Sequence, residues 1–131
     1  MSLAVPNVAL GQHEGRANLA AAVDGLVIDY DGESYTLAGH PEQPVAASPL
    51  DAFVVWEHTE WINPYARRVT WFVYVLLPQT YPLPVGLADE IAERVGSAVL
   101  PYGRISRTEP VSLALDTNQP PAPAVRVTID I

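Results

Sequence analysis

Between Arg68 and Pro78 the chain reads VTWFVYVLL, nine residues with no charge, glycine or proline. Its odd positions, Val69, Trp71, Val73, Val75 and Leu77, are wholly apolar, while Thr70, Phe72, Tyr74 and Leu76 are mixed. A period of two, carried by β-branched and aromatic residues, marks a strand. One side of such a strand must be covered, which limits the chain to architectures that lay helices or a second sheet against a sheet face. The segment before it, DAFVVWEHTEW, also alternates. Regular alternation places Phe53, Val55, Glu57, Thr59 and Trp61 on one face and Val54, Trp56, His58 and Glu60 on the other. INPYA turns the chain with Pro64, so the two strands are expected to form an antiparallel hairpin.

The remaining segments supply the cover. Leu87, Ala88, Ile91, Ala92, Val95 and Val99 recur at helical spacing, with Asp89, Glu90 and Glu93 near the positive end and Pro101 and Gly103 beyond the other. This predicts a helix over 87–100. A weaker helix is expected over Asn7 to Val23, where Leu19, Val23 and Leu26 share a face. VIDYDGESYTLAG reads as a short irregular hairpin about Asp31-Gly32, and the Pro-rich HPEQPVAASP as an extended loop. VSLALD and AVRVTIDI read as strands with one buried face, joined through TNQPPAP. The expected fold is a single α+β domain over residues 1–131. It has a largely antiparallel four-stranded sheet, helices on one face and the order α-β-β-α-β-β. Tyr74, Phe72 and Trp56 are expected on the face that helices leave uncovered, a candidate for subunit contact.

Composition narrows the chemistry. There are seven Arg, no Lys and no Cys, which removes Lys Schiff bases, the P-loop Lys, disulfides and thiolate chemistry. No apolar run is long enough to span a membrane, and Met1 to Leu10 has no basic start or long apolar stretch, so synthesis in the cytosol is expected. The net charge of −8 lies in the first half: residues 1–66 hold nine acids against Arg16, while 67–131 hold six acids and six Arg. Sequence-specific nucleic-acid binding needs a basic stripe, which this distribution opposes. The distribution instead suits an acidic face that meets a basic protein partner or repels DNA.

The densest polar cluster is WEHTEW, residues 56–61. On a strand His58 and Glu60 point to one side, as two metal ligands would, yet a catalytic metal wants three protein ligands. His13 and His40 sit in distant segments with no spacing that brings them near. Glu57 and Glu60 fall on opposite faces, against an acid–base pair. Neither G-x-S-x-G nor a phosphate-binding glycine motif occurs, and Ser97, Ser106 and Ser112 have no evident His partner. The expectation is no catalytic residue, no cofactor and no metal. Strand-end contacts remain: Trp61 as a binding platform or a cover over the hairpin, and Arg67 and Arg68 as an edge device or an inter-subunit ion pair.

The texture of the chain over residues 17–131 resembles tail terminator and minor tail assembly proteins of tailed phages and prophages. The resemblance lies in YTLAGHPEQPVAASPLDAFVVW, in WINPYARRVTWFVYVLLP, in LADEIAERVGSAVL, and in EPVSLAL with PAVRVTIDI. It implies a structural subunit that forms a homo-oligomeric ring, a hexamer, on the end of the tail tube. Its partners would be itself, the major tail tube protein and a head completion protein, with no membrane. It would reside in the virion tail and, during assembly, in the host cytoplasm. The candidate contact residues are Trp56, His58, Glu60, Trp61, Arg67, Arg68, Phe72 and Tyr74. A head–tail joining module of similar shape, and a small metal-dependent enzyme using His58 and Glu60, are the alternatives.

Overall fold

The computed structural model describes residues 15–78, 86–114 and 120–131. Helix α1 covers residues 15–23, and Leu19, Ala20 and Val23 bury its inner face. Gly25, at φ 76°, closes it in the left-handed conformation that ends helices at least cost to glycine. Strands β1 (Val27–Tyr30) and β2 (Glu33–Thr36) then form an antiparallel hairpin. Asp31 and Gly32 both take positive φ, 52° and 79°, as the two-residue turn between right-twisted strands requires. Residues 7–14 of the expected first helix, His13 among them, lie outside the described residues, as do the first three residues of TNQPPAP.

The expected four-stranded antiparallel sheet in the order α-β-β-α-β-β does not form. Strands β3 (Ala38–His40), β4 (Asp51–Asn63), β5 (Ala66–Leu76), β6 (Arg104–Leu113) and β7 (Ala122–Asp130) make one five-stranded sheet, ordered β3-β4-β5-β7-β6. It is mixed, because β3 runs parallel to β4 while the other neighbours are antiparallel. The short AGH segment has no alternation to announce it. Its pairing comes from outside: Ala38 N–H donates to Leu50 O (3.1 Å) and Gly39 N–H to Asp24 Oδ1 (2.9 Å). Asp51 holds the returning chain, accepting from Ser48 N–H (2.8 Å) and sitting 3.1 Å from His40 Nε2.

Strand β6 also begins well before the expected VSLALD. Its extra stretch, RISRTEP, is polar and contains Pro110, which counts against a central strand. At the edge of the sheet alternate N–H groups face solvent, and a proline there is tolerated.

Helix α2 (Leu87–Val99) buries Leu87, Ile91, Val95 and Val99, one residue per turn, and follows Gly86 at φ 90°. The two helices and the β1–β2 hairpin lie on one side of the large sheet. Their apolar side chains join Ala52, Val54, Val69, Trp71, Val73, Val75, Val125, Val127 and Ile129 in one core. On the other side a smaller cluster of Phe53, Leu76, Ala122 and Ala124 packs with Ala47, Val111 and Leu113. Each fully buried aliphatic or aromatic side chain contributes about 1.5–3 kcal/mol by leaving water, so the larger core carries most of the stability.

Candidate functional site

The β4–β5 ladder outruns the rest of the sheet. Strand β3 meets β4 only at Asp51 to Phe53, and β7 pairs with β5 only from Thr70 to Leu76. Beyond these, residues 57–68 project as a two-stranded arm. A two-residue turn, Pro64-Tyr65, closes it, braced by Tyr65 N–H donating to Asn63 Oδ1 at 2.8 Å. Apolar side chains are presented to solvent there: Trp61 is 59% exposed, Ile62 58% and Tyr65 97%. Trp61 therefore does not fold back over the hairpin core.

The faces of the arm differ from those expected. The β4–β5 register shifts between Trp56 and His58 and again between Trp61 and Asn63. Directly paired residues share a face, so Trp56, opposite Trp71, lies on the helix-bearing side and not with Phe72 and Tyr74. Past the extra residue Glu57, His58 pairs with Thr70 and Glu60 with Arg68, on the opposite side. Thr59 and Trp61 pair with Val69 and Arg67 and return to the helix side. One inserted residue thus redistributes the whole cluster, because a slip of one exchanges the faces. The polar contacts of the arm are local: His58 Nδ1 lies 2.6 Å from Glu57, Trp56 Nε1 donates to Thr59 Oγ1 at 3.4 Å, and Arg68 stands 4.0 Å from Glu60. Among the described residues no three His, Asp or Glu side chains are grouped as metal ligands.

Phe72 and Tyr74 do lie together on the helix-free side, with ring centroids 6.0 Å apart, and Phe53 stacks on Tyr74 at 5.5 Å. Two residues not singled out from the sequence complete this group. Arg126 spreads over the Phe72 ring at 4.7 Å and donates through Nε (3.0 Å) and Nη2 to Glu109 Oε1. The hydrogen bond from Arg126, then the nearby Arg126 and Arg107 charges, hold the Glu109 carboxyl below the usual carboxylate range despite an opposing desolvation effect. Arg126 is correspondingly raised, by Glu109 first and then Tyr74. A depressed carboxyl stabilises the fold above its unfolded pKa, and that contribution is lost as pH falls through the folded value. The urea midpoint of Glu109→Gln is therefore expected below wild type at neutral pH. The gap should close on acidification and shrink in molar salt, since the pair is partly exposed. An equal gap at every pH would refute the ion-pair assignment.

A groove of about 450 Å3 opens on the helix side at the base of the arm. Val69 and Trp71 form its buried part, Gly15 and Asn18 of α1 flank it, and Tyr102 and Ile131 lie across. Arg67 also lines it and, among the described residues, has no acidic partner. Gly15 is required here, because a Cβ on it would sit 2.8 Å from the Trp71 ring. Sequence reasoning missed the groove, since its lining comes from separate segments with no shared motif. Set against known protein families, curated proteins and solved structures, the chain matches none.

Proposed function

We propose that this chain is a structural subunit of tail assembly in a tailed phage or prophage, acting as a tail terminator. Six copies form a ring on the end of the tail tube, stop its growth and offer the surface that a head completion protein joins. Its partners are further copies of itself, the major tail tube protein and the head completion protein. It resides in the virion tail, and in the host cytoplasm during assembly.

The observation that carries this reading is the arm. Trp61, Ile62 and Tyr65 are held in water at the end of a two-stranded projection, an arrangement that costs solubility and gains an anchor for a partner. The net charge of −8 adds support, because an acidic ring lets duplex DNA slide through without gripping its phosphates. The changed strand order removes element order as support, so the reading rests on surface and charge.

Light scattering across a concentration series, with co-sedimentation on purified tail tubes, tests it. A discrete oligomer that binds tube ends is expected. A 14.2 kDa monomer at every concentration, with no tube binding, would overturn the proposal.

A further inference from the structure

We infer that the tip of the arm seats in the groove of a second copy of this chain. The inference deepens the ring-subunit reading and rests on it for the premise that copies associate. Knob and hole belong to the same molecule: Ile62 and Tyr65 protrude at the arm's end, and the groove lies at its base. The β4–β5 ladder runs out to Asn63 and Ala66, so a copy cannot bend its own tip back into its own groove. The occupant must come from another molecule.

The chemistry of the two surfaces matches. Beside the buried Trp71 the groove is lined by the guanidinium of Arg67, while Arg16, 5.9 Å from the Trp71 ring centre, is already within 3.9 Å of Glu42. Arginine stacks on aromatic faces and pairs with carboxylates. The incoming tip offers the Tyr65 ring, the Ile62 side chain and, behind them, Glu60, whose own Arg68 partner stands at 4.0 Å in water and holds it weakly. A space of about 450 Å3 is in the range of small binding cavities and accepts an aromatic side chain with its neighbour. The surface is also continuous: Arg67 lines the groove and pairs with Trp61 on the same face, so an arriving tip is bordered by the exposed Trp61 indole. A copy that gives its tip to one neighbour and receives another's makes head-to-tail contacts, the kind that close into rings.

Two variants separate the surfaces. Ile62→Ser with Tyr65→Ser removes the tip and leaves the groove; Asn18→Arg, at an exposed helical position, fills the groove and leaves the tip. Far-UV circular dichroism and thermal midpoints check that each folds, and Tyr102→Ala serves as a second groove variant. Each variant alone is expected to lose the wild-type oligomer and run as a monomer. Mixed in equal amounts, they should form a pair of twice 14.2 kDa, because the blocked chain still has a tip and the tipless chain still has a groove. If both variants keep the wild-type mass, or if the mixture stays monomeric, the inference is overturned and the ring reading stands. If only the groove variants dissociate, the groove takes a different segment or partner, and the tip assignment is overturned. If the wild type itself never associates, the ring reading fails first and this inference with it.

Discussion

Trp71→Ala is expected to remove about 3–5 kcal/mol of folding stability, the usual cost of truncating a fully enclosed large aromatic. Trp71 is 1% exposed and is the largest fully enclosed side chain among the described residues. It touches both layers, since it stands among the β5 residues of the main core while α1 lies against its ring at Gly15. Truncation would open a void continuous with the groove, and α1 could not collapse into it without leaving Leu19 and Val23 behind. Small domains are stable by only about 5–15 kcal/mol, so the variant should unfold at a much lower urea concentration with an unchanged slope. Trp71→Phe, which keeps a ring in place, should recover most of the loss. A deficit under about 1 kcal/mol for the alanine variant would contradict the packing described.

Gly39→Val is the second large effect expected. A Cβ on Gly39 would lie 2.3 Å from Ala20 O, 2.8 Å from Asp24 N and 2.9 Å from Asp24 Cα. All three are backbone atoms at the end of α1, so no side-chain rotation relieves the clash. Overpacking typically costs about 1–3 kcal/mol, and the upper end is expected because the helix end must move and the Gly39 N–H to Asp24 bond goes with it. Thermal unfolding measures the loss, and hydrogen exchange at Ala38, Gly39 and His40 should show the β3–β4 pairing opening first. Gly96→Ala is the contrast: its Cβ would meet only the tip of Ile105, at 2.7 Å from Cδ1, which can rotate. Equal losses at the two sites would argue against the tight approach of β3 to α1.

These two residues also show what could be read from the chain and what could not. The periodicity around Trp71 announces β5, the stripe from Leu87 to Val99 announces α2, and Asp31-Gly32 announces its hairpin, because each signal is local. Strand β3 is three residues long and has no pattern of its own; what makes it a strand is Leu50 and Asp24, distant in sequence. The early part of β6 hides behind Arg104, Arg107 and Pro110, residues that suit an edge and resemble a loop. The shift at Glu57 falls within EHTE, a polar stretch with no apolar residue to mark which face is which, so His58 and Glu60 leave the face of Trp56 on which unbroken alternation would keep them. Phe72, Tyr74 and the arm residues were visible as candidates. Arg126 and Glu109 were not, because Glu109 lies in the early part of β6, which reads as loop and not as strand.

The two extra residues of β4 have a geometric consequence. The strand spends 13 residues against the 11 of β5, and the surplus sits at Glu57 and Ile62. Each such insertion tightens the local right-handed coil of a ribbon. A straight lever would carry the next molecule forward in plane, and a row of copies would run on as a flat tape. In the ring proposed above, a coiled lever would hand each copy to the next at a fixed rotation, so the angle of the joint, and with it the curvature of the ring, would follow from the spacing of two side chains along one strand.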